Sequence, residues 1–138
     1  MNRLLVVFLI LFLSKTFAER PDWYPENAAE IEADCKKENG ITPEIWSQML
    51  SLDLEDTPAV RSVLLCLVKR KTVYRPENGF EAERLQVGLQ QVAKRKCDLN
   101  HIKDCGEKFC DLEPEDFKIF SIFKCTLDDR HEKCEKVE

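Results

Sequence analysis

Asp116-Phe117-Lys118-Ile119-Phe120-Ser121-Ile122-Phe123-Lys124-Cys125 is the stretch that decides the fold. It follows Glu113-Pro114-Glu115, which places a proline in the first turn of a helix and acids near the positive end of its dipole. At 3.6 residues per turn, Phe117, Ile119, Phe120, Ile122, Phe123 and Leu127 cover most of the circumference. A helix apolar nearly all round is buried on several sides. The remainder of the chain must therefore supply the elements that surround it.

Working outward, the punctuation is helical. Thr42-Pro43-Glu44 and Thr57-Pro58-Ala59 each set an N-cap hydroxyl before a first-turn proline. After the second of these, Val60, Val63, Leu64, Leu67 and Val68 form the stripe of an amphipathic helix. Ala82, Leu85, Leu89 and Val92 form another, after a break at Arg75-Pro76-Glu77-Asn78-Gly79 and a start near Phe80. Ile45, Trp46, Met49 and Leu50 make a two-turn face. Ala28, Ile31 and Cys35 mark an acidic first helix that Gly40 stops in a left-handed conformation. Glycine is scarce, with four residues, and β-branched alternation is absent. The expected fold is all-α, six short helices in one domain, with no internal repeat.

The N-terminus has its own layout. Met1-Asn2-Arg3 precedes the apolar run Leu4–Leu13, with Thr16 and Ala18 three and one residues before a cut after Ala18. This is the pattern of a secretory signal peptide over 1–18, leaving a mature, extracellular domain over 19–138. The apolar run is shorter than the roughly 20 residues that a spanning helix needs, so no membrane insertion is expected. Removing 1–18 takes away Arg3 and Lys15 and no acids, which leaves 19 basic against 26 acidic residues and a net charge of −7. Nucleic acid and anionic membrane surfaces call for a cationic partner, and this balance argues against both.

All seven cysteines fall in the mature segment: Cys35, Cys66, Cys97, Cys105, Cys110, Cys125 and Cys134. In an oxidising compartment they read as disulfides, and an odd number leaves one free or paired between chains. No CxxC occurs and there are two histidines, His101 and His131, so neither a metal nor a cofactor is expected. GxSxG, HExxH, phosphate-binding glycine loops and EF-hand spacing are missing as well, which leaves no residue to anchor an enzymatic reading. The apolar surplus on the Pro114 helix has two readings. It lines a pocket for a small apolar molecule, or it fills a solid core.

The cysteine spacing resembles that of the insect odorant-binding protein family. That family carries six cysteines, with three residues between the second and third and eight between the fifth and sixth. Cys66, with the run to Gly79-Phe80, is similar to the third; Cys35 to the first; Cys105 to the fourth; Cys125 to the sixth. Three residues separate Ser62 from Cys66 and eight separate Asp116 from Cys125, which puts Ser62 and Asp116 in the places of the second and fifth. The missing pair are each other's partners, which resembles the reduced-cysteine branch. Eight residues also separate Cys125 from Cys134, but Thr126–Lys133 is charged where the family has an apolar helix.

The resemblance implies six helices around an apolar cavity, with bridges Cys35–Cys66 and Cys105–Cys125. The first closes a loop of about 30 residues, worth roughly 3–4 kcal/mol in the chain-entropy model. The remaining thiols are placed by helix geometry. Taking Cys97 on the helix that runs to Cys105 and Cys134 on a continuation of the Cys125 helix, the two lie about 12 and 13.5 Å along antiparallel axes, side by side. That gives a Cys97–Cys134 rung and a free Cys110. The cavity residues expected from apolar faces are Met49, Val63, Leu67, Leu85, Leu89, Phe120 and Phe123. The implied function is a secreted, non-catalytic carrier of odorants, pheromones or lipids, a monomer or dimer, with a small apolar ligand and a chemosensory receptor as partners. Two alternatives remain: the same carrier in a non-olfactory fluid, or a cytokine-like protein with a filled core.

Overall fold

The computed structural model describes residues 20–137. The signal-peptide expectation over 1–18 lies outside them. Among the described residues six α-helices follow one another: α1 (Ala28–Glu38), α2 (Pro43–Leu50), α3 (Pro58–Arg70), α4 (Ala82–Ala93), α5 (Leu99–Lys108) and α6 (Glu115–Thr126). Their starts are chemical. The Thr42 hydroxyl accepts the Ile45 N–H and the Thr57 hydroxyl accepts the Val60 N–H, each at 3.2 Å. The Asp98 carboxylate does the same for His101 N–H at 2.9 Å and opens α5. Gly40, at φ 63°, ends the first helix in the left-handed region that glycine enters without strain.

Helix α6 is the centre. Ile119, Phe120, Ser121, Ile122, Phe123 and Thr126 are all buried, and α3 and α5 pack on it. Helix α1 packs on α3, and α4 on α5. Three disulfides link these layers: Cys35–Cys66 joins α1 to α3, Cys105–Cys125 joins α5 to α6, and Cys97–Cys134 ties the C-terminal segment back to the chain before α5. Cys110 is an exposed free thiol.

The Cys97–Cys134 link is built otherwise than the helical-rung argument supposes. Neither cysteine is helical. Arg95–Cys97 forms β1 and Cys134–Lys136 forms β2, an antiparallel pair in which Cys97 faces Cys134. Asp98 caps α5, so that helix begins after Cys97. Helix α6 stops at Thr126, and a 3-10 turn over Asp129–His131 reverses the chain. Asp98 N–H donates to Lys133 O at 2.7 Å and Val137 N–H to Lys94 O at 2.9 Å, flanking the ladder. Strands this short carry no alternation for a periodicity reading to find.

Gly106 shows how tightly α5 is seated. A β-carbon there would collide with Cδ1 and Cε1 of Phe80. Gly106→Ala gains up to about 1 kcal/mol of helix propensity but forces the ring aside, and overpacking costs about 1–3 kcal/mol. The expected outcome is a net loss of about 1 kcal/mol in urea denaturation. Phe80→Leu should recover most of it in the double variant. Additive losses would show that the two residues do not meet.

Candidate ligand-binding cavity

An apolar cavity of about 80 Å³, partly open to the surface, lies between α2, α3, α4 and the C-terminal end of α6. Each helix contributes one row. Met49 comes from α2, Leu64, Leu67 and Val68 from α3, Leu85 and Leu89 from α4, and Phe123 from α6. The lining is almost entirely apolar. Leu50 belongs to the wall and is 36% exposed, so the wall reaches the surface at the end of α2. Beside it stands Trp46, whose ring carries the Lys36 ammonium at 4.6 Å from its centroid.

Two loops close the remaining sides. Leu52 and Leu54 come from the turn after α2, where Leu52 takes a φ of 69°. Lys124 Nζ donates to Leu54 O at 2.7 Å and fastens that turn to α6. Lys71 and Val73 come from the turn after α3. This turn is held by Arg84, which donates to Thr72 O at 2.6 Å, and by Tyr74 N–H, which donates to Val68 O at 2.9 Å. Gly88 lets α4 approach it; a β-carbon would sit 3.1 Å from Val73 Cγ2.

Of the residues expected at the cavity, Met49, Leu67, Leu85, Leu89 and Phe123 lie in its wall, and Val63 and Phe120 do not. Val63 is fully buried but sits about 100° round α3 from Leu64. Phe120 lies nearly a turn before Phe123 on α6, with its ring centroid 5.8 Å from the Arg61 guanidinium carbon. Both are core, because the buried arc of each helix is wider than the part that meets the cavity. The turn residues Leu52, Leu54 and Val73 had no periodicity to mark them.

Lys71 is the charged member of the wall. It is 2% exposed, and its ammonium donates to Glu32 Oε2 at 3.0 Å. One signal was present in the sequence: Lys71 continues the α3 stripe, seven residues after Leu64. Glu32 also bears on buried Tyr24. Burial first, and the Glu32 carboxylate second, push the Tyr24 phenol up to about 12, against the opposing pull of Arg20.

A hollow, disulfide-linked bundle of six short helices with an apolar centre defines a class of small binding shell. Residues 19–129 match the PBP/GOBP family, and the chain belongs to it. Its members are small binding proteins, typically secreted. The chain is similar to the B1 protein and the B2 protein of Tenebrio molitor. Each is 29% identical over 103 residues, covering 73% of this chain and 76% and 77% of those proteins, respectively. No solved structure matches it. Among the described residues no helix is long and apolar enough to cross a membrane.

The Tyr24 shift has a pH consequence. Below pH 10 the phenol is neutral in both folded and unfolded chains, so its contribution is fully present. Between 10 and about 12 the unfolded chain ionises first, and stability falls as pH rises. Absorbance titration of phenolate should show a component near 12 that Tyr24→Phe removes, along with part of the alkaline loss of stability. A profile unchanged by that substitution would contradict the assignment.

Proposed function

We propose that this protein is a secreted, non-catalytic carrier that takes small apolar molecules such as odorants, pheromones or lipids into its cavity, after removal of residues 1–18. The apolar cavity among α2, α3, α4 and α6 carries this reading. A solid core would serve a receptor-binding protein equally well; a hollow one gives up packing contacts that only an occupant restores. The volume holds on the order of six waters, so it suits ligands of roughly ten heavy atoms. Burying about 300 Å² of apolar ligand surface contributes on the order of 7 kcal/mol. Association entropy offsets part of it, which leaves micromolar affinity and broad selectivity. The ligand-contacting side chains in this reading are Met49, Leu67, Leu85, Leu89 and Phe123.

The test is uptake of an apolar fluorophore by the folded protein, displaced by medium-chain alcohols or esters. Saturable uptake is expected, and Leu89→Trp, which fills the cavity, should weaken it about tenfold with the fold retained. Uptake that this variant leaves unchanged would place the ligand elsewhere.

We also place the chain in the reduced-cysteine branch, with Ser62 and Asp116 standing where the family has a bridge. Supporting this, α3 and α6 pack on one another, and Arg61, next to Ser62, lies 4.6 Å from the ring of Phe117, next to Asp116. Bridged cysteines need β-carbons about 3.8 Å apart. Ser62→Cys/Asp116→Cys should therefore oxidise to a fourth disulfide and raise Tm. Two persistently free thiols in the folded variant would show that these are not the vacated positions.

A further inference from the structure

The wall of the cavity is apolar except at one place. Lys71 follows the last turn of α3, is 2% exposed, and lies in the lining beside Val68 and Val73. An ammonium carries three N–H donors and no acceptor. Among the described residues its one hydrogen-bond partner is Glu32 Oε2, at 3.0 Å. Taking a charge out of water costs several kcal/mol unless its donors are met, and a single acceptor leaves two without a protein partner among the described residues. The pair is held in place covalently as well. Glu32 lies three residues before Cys35 and Lys71 five after Cys66, and those cysteines are bonded.

We propose that the cavity selects ligands bearing one neutral acceptor oxygen, the carbonyl of an ester, aldehyde or ketone, which takes a hydrogen bond from Lys71 Nζ. This rests on the carrier reading and names the ligand class for the same site. Charge and donor count decide between the polar groups available. Glu32 already neutralises the ammonium, so a ligand carboxylate would bring a second, unbalanced anion into an apolar enclosure. A hydroxyl oxygen accepts too, but it brings a donor of its own, which only the Glu32 carboxylate beside Lys71 is there to meet. A carbonyl oxygen accepts without donating and carries no net charge. An alkane leaves the Lys71 donors as they are.

Displacement of an apolar fluorophore by a length-matched alkane, alcohol, methyl ketone and carboxylate tests this. In the natural protein the ketone should bind about tenfold more tightly than the alkane, as befits a hydrogen bond to a charged donor, and the carboxylate should bind no more tightly than the ketone. Lys71→Met keeps the stem and removes the donors; the ketone-to-alkane ratio should fall to about one. Glu32→Gln leaves the ammonium unbalanced and should reverse the order, with the carboxylate overtaking the ketone. If Lys71→Met does not fold, the Glu32→Gln reversal decides alone. Equal ketone and alkane affinities in the natural protein, or an order unmoved by Glu32→Gln, overturn the proposal while leaving the carrier reading standing. Failure of every compound, the alkane included, to displace or the fluorophore to enter overturns both.

Discussion

A protein with a hole at its centre has to be held together by something other than its centre. Interiors are close-packed, and a void deprives its lining of contacts on one side. On the scale of engineered cavities, about 80 Å³ corresponds to about 2 kcal/mol. A Cys35–Cys66 closure of 31 residues is worth roughly 3–4 kcal/mol by constraint of the unfolded chain. One bridge is therefore enough to offset the void, and it ties α3, which forms part of the cavity wall, to α1. Covalent linkage is what permits a chain this small to remain hollow. The other two bridges, Cys105–Cys125 and Cys97–Cys134, secure the opposite side, where α5, α6 and the strand pair meet.

The division of labour follows from this. Helix α6 is packed by α3 and α5 along most of its length, and only its last turn, with Phe123 and Leu127, reaches the cavity. Its N-terminal half, with Ile119 and Phe120, is solid core. The molecule is thus part packed domain and part shell. The shell half is finished by two turns rather than by another helix. These turns are anchored to helices by side-chain donors, Lys124 to Leu54 O and Arg84 to Thr72 O. Those bonds fasten each turn to a helix of the wall.

Much of the helical part could be read from residue order. Threonine caps before proline located α2 and α3, glycine stopped α1, and near-circumferential apolarity marked α6 as central. These are local signals with a period the helix imposes. What could not be read was whatever depends on two distant segments at once. The β1–β2 ladder is three residues on each side, too short for alternation, and the reversal that creates it is set by a turn at Asp129–His131. Cys97 and Cys134 are bonded as helical displacements would pair them, but across two strands and not two helices. Antiparallel strands, like antiparallel helices, bring equal displacements side by side. The cavity was legible only as far as faces are. Leu67, Leu85 and Leu89 sit where an inward face puts them, and so does Val63, yet the void touches the first three alone. A stripe specifies what is buried, and the offsets of neighbouring helices decide what is buried against nothing.

An apolar wall and a single charged group act on a ligand in different ways. Each methylene added to an apolar body changes affinity by about 0.8 kcal/mol until the space is full. Chain length is therefore graded gently, and many bodies fit. A polar contact is made or missed, and a donor that loses its acceptor on desolvation is penalised as a step. Lys71 reaches its place because the residue that follows α3 and continues its stripe is a lysine, and because Glu32 is fixed opposite it through Cys35 and Cys66. The same covalent link that allows the shell to be hollow therefore also fixes the position of its one charged pair. In the proposed carrier, tolerance for the ligand's body and discrimination at its polar end then come from separate parts of the wall.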